Sequence, residues 1–405
     1  MKGASLKIAG NWKEIVRAFL KLGATAYGGP AIMGIMQTEL QEKRQWVSKE
    51  RFVEGLALVN MLPGPGAIQL GIFLGHARGG GWGGLLAGLC FMLPAFFVML
   101  ALTMGYAAYG ATPIFTGALY GLGPVVIGVF LVAVYRLARS ILTTVAQVII
   151  AVTVAVVFAR NDLGVMALLA VAGGIGVLLF HSRRLGVIIL GAVITSILIA
   201  HVAPWPSATL AQAAAGTGPS AQPGLLDIGS FFFLVGAFSF GGGLSMIAFI
   251  QEQVVGNYHW LTQQEFIDGL ALGQFSPGPI LMVSAYIGYK LAGFMGATVA
   301  AIGIFLPSFI LMLSILPVFE RAMKVIWARA ALKGIGPAVI GVLTVSLFHM
   351  APYALPDPVA IALLIGTVIA LLAWRVGAIK LVLAGALVGV LRTRLLSVPG
   401  IKAML

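Results

Sequence analysis

Residues 19–30 read FLKLGATAYGGP, and residues 231–243 read FFFLVGAFSFGGG. At an offset of 213, Gly23, Ala24, Gly28, Gly29 and Met33 fall on Gly236, Ala237, Gly241, Gly242 and Met246. Moving outward, Trp46, Phe52, Gly55 and Leu56 meet Trp260, Phe266, Gly269 and Leu270 after one inserted residue, and MLPGPG (61–66) meets FSPGPI (275–280). The first offset then returns: Gly83, Pro94 and Phe96 meet Gly296, Pro307 and Phe309, and Gly121, Gly123 and Pro124 meet Gly334, Gly336 and Pro337. Chance does not align so many Gly and Pro residues, so the chain is an internal duplication.

Composition sets the medium in which the two copies fold. Of 405 residues, 60% are hydrophobic and 9% charged, with a mean hydropathy of +1.04. A soluble chain of this length carries far more polar surface. The 53 glycines suit close helix packing in lipid. The net charge of +13 comes mostly from Lys and Arg flanking apolar runs, as topology signals do. A nucleic-acid binder needs a clustered basic face instead. Cys90 is the single cysteine, so neither an internal disulfide nor a cysteine metal site is expected. The N-terminus lacks the apolar core and cleavage site of a signal peptide. Ser5 to Phe19 reads as an amphipathic helix on the membrane surface.

The expected fold is all-α: a polytopic membrane protein of two inverted homologous repeats with broken or re-entrant helices. The N-terminal repeat takes residues 1–203, a charge-free Pro- and Gly-bearing linker 204–226, and the C-terminal repeat 227–405. Candidate spans begin at 14–36, 52–77 and 82–110, and their counterparts at 229–251, 265–290 and 294–318. The first two of each set carry the double-glycine and Pro-Gly-Pro breaks, which suits hairpins rather than full crossings. Five full spans then separate the repeats, an odd number, so the second copy is upside down. Lys43, Arg44, Lys49 and Arg51 follow the first break, whereas 252–264 holds no Lys or Arg, as inversion requires. Arg392, Arg394 and Lys402 fall outside on this count, against the rule.

Broken helices expose amide hydrogens and a positive dipole end, and glycine lets an oxyanion approach the backbone. The candidate substrate site is therefore Gly28, Gly29, Pro30, Pro63, Gly64 and Pro65 with Gly241, Gly242, Gly243, Pro277, Gly278 and Pro279. Asn60 and Gln274 stand just before the two Pro-Gly-Pro motifs as side-chain donors. The competing reading makes these residues plain kinks and helix contacts. Glu54 and Asp268 align and serve either as proton carriers or as helix caps. Lys21, Arg78 and Lys290 either attract the anion or snorkel to headgroups. Glu39 and Glu252 read as solvated helix ends. No nucleotide loop, nucleophile elbow or metal-binding His pair is present, so no cofactor, no metal and no catalytic residue are expected.

The doubled double-glycine and Pro-Gly-Pro pattern resembles the chromate ion transporter family in its long, two-domain form, over nearly the whole chain. That resemblance implies a secondary transporter of the inner membrane, with chromate efflux as its activity and sulfate as a similar competitor. Its partners are then the oxyanion and the lipid bilayer, with self-association left open. A passive anion channel and a membrane enzyme acting on lipid-linked phosphates stand as alternatives.

Overall fold

The computed structural model describes residues 8–26, 29–110, 112–160, 163–202, 223–239, 244–318, 326–374 and 376–396. Among them the architecture is all-α, with no strand. The first repeat comprises α1 (Ile8–Thr25), α2 (Gly29–Met36), α3 (Lys49–Met61), α4 (Gly66–Tyr109), α5 (Pro113–Ile141), α6 (Val145–Ala159) and α7 (Val165–Phe180). The second comprises α9 (Leu225–Ala237), α10 (Leu244–Gln251), α11 (Gln263–Phe275), α12 (Val283–Ile315), α13 (Ile326–Ala354), α14 (Pro358–Leu372) and α15 (Ala378–Leu396). Between them α8 (Arg183–Val202) has no counterpart. The linker lies almost wholly outside the described residues.

Each repeat opens with two helical hairpins. In the first, α1 ends before the double glycine and α2 leads back through a π-helical turn, Gln37–Lys43. The reversal is fixed by Trp46 Nε1 donating to Glu14 at 2.9 Å. The second repeat repeats the π-turn at Glu252–Asn257. The apolar face of α1, with Ile15, Phe19 and Leu22 buried, packs on α4 at Gly79, Gly71 and Phe91. The described part of the amphipathic segment is continuous with α1, with Ile15 and Phe19 buried; Ser5 to Lys7 lie outside the described residues.

The second hairpin pairs α3 with residues 66–78 of α4 around the Pro-Gly-Pro turn. Gly55 lies against the Phe73 ring, and in the other copy Gly269 lies against Tyr286. α3 has 13 residues, about 20 Å at 1.5 Å per residue. That falls short of a hydrocarbon core of about 30 Å, so α3 is too short to cross one alone. α4 is itself not one rod. Its backbone leaves the helix at Gly79 (φ −141°) and Gly80 (φ 63°, ψ −158°). α12 does so at the equivalent Ala292 (φ −144°) and Gly293 (φ 60°, ψ −149°). The chain doubles back there, so that Gly75 abuts Gly83 and Gly288 abuts Gly296.

The remaining helices are exchanged between repeats. α5 of the first copy packs through Gly121 onto the backbone of Gly385 and Gly389 in α15. Reciprocally, α13 packs through Gly334 onto Ala172 and Gly176 in α7. Among the described residues, four helices are long and apolar enough to cross a bilayer, Gly66–Tyr109, Pro113–Ile141, Ile280–Ile315 and Ala330–Ala354. The first and third of these contain the reversals just described. Arg392, one of the misplaced C-terminal cations, is neutralised within the protein: it pairs with Asp357 at 2.6 Å and lies 4.2 Å over the Tyr120 ring.

Candidate functional site

The two Pro-Gly-Pro turns reach across to the opposite repeat. Gly64 (φ 125°) donates its N–H to the Ser239 carbonyl, and Gly278 (φ 89°) donates to the Ala26 carbonyl at 2.8 Å. Ala26 and Ser239 occupy the same repeat position, two residues before the double glycines. Each turn is therefore stapled to the first element of the other copy, giving two crossings related by the repeat symmetry. Each turn also rests beside the other copy's intrahelical proline. Gly64 meets Ser308, next to Pro307, and Gly278 meets Ala95, next to Pro94. Ser276 adds a hydroxyl bond to the Ala95 carbonyl at 3.0 Å.

Gly28, Gly241, Gly242 and Gly243 lie outside the described residues. Gly29 starts α2, with Pro30 in its first turn. Pro63 and Pro65 flank Gly64 at one crossing, and Pro277 and Pro279 flank Gly278 at the other. The Gly64 and Gly278 amides are not bare, since both already donate to carbonyls. Asn60 is exposed and Gln274 half-buried.

The two aligned carboxylates have diverged. Glu54 is half-exposed and pairs with Arg51 at 2.9 Å. Asp268 is 5% exposed and accepts from the Tyr106 hydroxyl and from Gln264 Nε2, both at 3.0 Å. Tyr106 belongs to α4 of the other repeat, so this buried carboxylate sits on the inter-repeat contact. Lys290 pairs with Glu265 at 2.8 Å, and Arg78 pairs with Glu14 at 2.9 Å. Both cations are thus held by protein carboxylates. Glu39 accepts from Lys43 at 2.6 Å, which holds its carboxyl below the ordinary range; it is a solvated helix end.

Lys21 faces a different feature. A cleft of about 620 Å³ is lined by Lys13, Glu14, Arg17, Lys21 and Arg44. Beside it, a second cleft between α1 and the π-turn shares Lys21 and Arg44 and extends to Thr25 and Ile35. A positively charged concave surface concentrates anions, and this one ends one residue from Ala26 at a crossing.

The sequence reading passed over three residues at the other crossing: Gln69, Ser239 and Ser308, each fully buried. Comparing the repeats could not reveal them, because their counterparts carry no polar side chain. A polar residue inside the apolar run GAIQLGIFLG (66–75) was the available signal. Among the described residues, no cluster of His, Cys, Asp and Glu is arranged to hold a metal.

Comparison with known proteins follows this geometry. The family model described as "Chromate transporter" matches twice, over residues 13–177 and 226–390, and its two matches start 213 residues apart. A "Chromate transport protein" of Cupriavidus metallidurans is 33% identical over 382 residues, covering 92% of this chain and 91% of that protein. A protein of the same description from Pseudomonas aeruginosa is 30% identical over 392 residues, covering 94% and 92%. No solved structure matches. With the long apolar helices, these relatives make the chain a membrane transport protein, and the lipid-phosphate enzyme alternative drops out.

Proposed function

The chain belongs to the chromate transporter family, and from that premise we propose that it exports chromate across the inner membrane as a secondary transporter. The observation that carries this reading is the reciprocal pairing of the two crossings, Gly64 to Ser239 and Gly278 to Ala26. Two inverted units meet there through interrupted helices at membrane depth, where transporters of inverted-repeat design bind their cargo. Rocking one unit against the other would open that region to either side in turn. The basic cleft at α1 lies on the side that the Lys and Arg distribution assigns to the cytoplasm. It supports capture of a dianion from inside.

Energetics favour export without a pump. A membrane potential contributes about 2.3 kcal/mol per charge per 100 mV, so about 4.6 kcal/mol per 100 mV drives a dianion out of a negative interior. Sulfate has the same shape and charge and is the expected competitor. Asp268 supports a proton-coupled component, since its hydrogen-bond partners are uncharged and it bridges the repeats.

Uptake of labelled chromate into inverted membrane vesicles, with potential and pH gradient imposed separately, tests this. An interior-positive potential should drive accumulation, and sulfate should compete. Absence of uptake by inserted protein under either gradient overturns the reading. Uptake only in right-side-out vesicles reverses the direction.

A further inference from the structure

Building on the transport reading above, we infer that the oxyanion is held at only one of the two crossings, the one around Gly64, by the side chains of Gln69, Ser239 and Ser308. The three come from α4, from two residues before the second double glycine, and from α12. A methyl group on Gly64 would overlap both Gln69 Nε2 and Ser308 Oγ, and the Gly64 N–H donates to the Ser239 carbonyl. Two of the side chains and the Ser239 backbone therefore meet at one residue. All three residues are 0% exposed. Gln69 Nε2 donates to the Pro63 carbonyl, while Gln69 Oε1 and both serine hydroxyls have no hydrogen-bond partner among the described residues. Buried polar atoms are almost always paired. The two serine hydroxyls, unpaired at the turn that also holds the second amide hydrogen of Gln69, indicate a hydrogen-bond-accepting ligand that joins them during the working cycle.

The repeat supplies an internal control. At the Gly278 crossing, Ala26 stands for Ser239 and Ala95 for Ser308. Met282 or Val283 stands for Gln69, according to which side of the one-residue insertion is counted. At these three positions the same backbone crossing carries apolar side chains, its own buried hydroxyl, Ser276, being paired with the Ala95 carbonyl, so the fold does not require polar groups at the three.

The sign of the ligand follows from the donors. Two hydroxyls and the second amide hydrogen of Gln69 can donate. α4 begins at Gly66 and turns its positive N-terminal end toward the same turn. That arrangement favours an anion over a cation. A neutral donor set also leaves the anion's charge uncompensated, so the membrane potential acts on it in full and no fixed cation retains it. The groups close tightly around Gly64 here, so loading requires the Pro-Gly-Pro turn to part from α12.

The test is chromate and sulfate transport by purified protein in liposomes, with apparent KM as one readout. Sulfate protection against thermal unfolding is the other. Ser239→Ala and Ser308→Ala install the residues that already pack at the mirror crossing, so both should fold. Each should raise KM about tenfold, the worth of one hydrogen bond to a charged group, and weaken sulfate protection. Gln69→Glu keeps the shape but adds a negative charge and should abolish both readouts. Gly81→Ala, on an open surface away from both crossings, should leave KM unchanged. Wild-type KM and sulfate protection in both serine variants, or normal transport by Gln69→Glu, overturns the assignment while leaving the transport reading intact. A lowered melting point with an unchanged KM also overturns it, by making the serines structural. If the wild-type protein moves neither anion, the transport reading falls and the site falls with it.

Discussion

One methyl group should distinguish the two Pro-Gly-Pro turns. Gly64 and Gly278 both hold positive φ, at 125° and 89°, where a side chain costs about 1–3 kcal/mol. Gly64→Ala would in addition drive into Gln69 and Ser308, whereas Gly278→Ala meets only the Ala95 methyl at 3.0 Å. Thermal unfolding in detergent should therefore show the larger loss for Gly64→Ala. Equal losses would mean that the crossings are packed alike. The aligned carboxylates should part in the same way. Glu54→Gln breaks only an exposed pair with Arg51, and its cost should stay within about 0.5 kcal/mol. Asp268→Asn removes the one proton-binding group on the inter-repeat hydrogen bond to Tyr106, so the pH-gradient-driven part of chromate flux should disappear while potential-driven flux remains. Retention of both parts would exclude Asp268 from coupling. Both motifs were legible in the sequence because they occur twice. What distinguishes their two copies was not, because burial and cross-repeat neighbours decide it. Gln69, Ser239 and Ser308 escaped for the same reason, having no polar echo in the other half.

At the scale of elements, sequence reading placed the breaks and also parted two candidate spans where the reversal inside α4 falls. Candidate spans 52–77 and 82–110 leave a gap at the Gly79–Gly80 turn, yet the run of glycines there also suits an ordinary close-packed helix. Only backbone geometry separates the two. Gly80 holds φ 63° and ψ −158°, a combination open to glycine and closed to other residues. No atom lies within 4 Å of a Cβ placed on Gly80 or on Gly81. Gly80→Ala should thus destabilise by about 1–3 kcal/mol through backbone strain alone. Gly81→Ala, with equal space and no positive φ, should be neutral or stabilise by up to about 1 kcal/mol. Melting temperatures of the two variants check this directly, and Gly293→Ala should follow Gly80→Ala. Similar behaviour of Gly80→Ala and Gly81→Ala would remove the reversal and restore a straight helix. The π-turns at Gln37–Lys43 and Glu252–Asn257 had no sequence signal of this kind; they are recognised by their recurrence in both repeats.

At the scale of the molecule, an offset of 213 announces two copies but does not say how they interlock. Two repeats side by side would each keep their own helices together. Here α5 leaves its repeat to pack on α15, and α13 leaves to pack on α7. The contact faces are backbone on backbone: Gly121 against Gly385 and Gly389, and Gly334 against Ala172 and Gly176. Helix association in lipid depends on such close packing, because hydrophobic burial offers little between apolar helices in an apolar solvent. A half molecule would keep its two hairpins but would present α5 and α7 without the partners they fit. Residues 1–203 and 204–405 expressed apart should therefore be degraded or aggregate. Co-expressed, they should copurify and restore chromate flux, since each crossing joins a residue of one fragment to a residue of the other. Gly121→Leu in the first fragment should abolish that copurification, because no rotamer accommodates a side chain against the Gly385 carbonyl. Gly81→Leu, on an open surface, should not. Either half accumulating alone as a folded monomer would show that the repeats are independent units. The crossings at Gly64 and Gly278 would then be contacts between finished domains rather than the centre of one interlaced body.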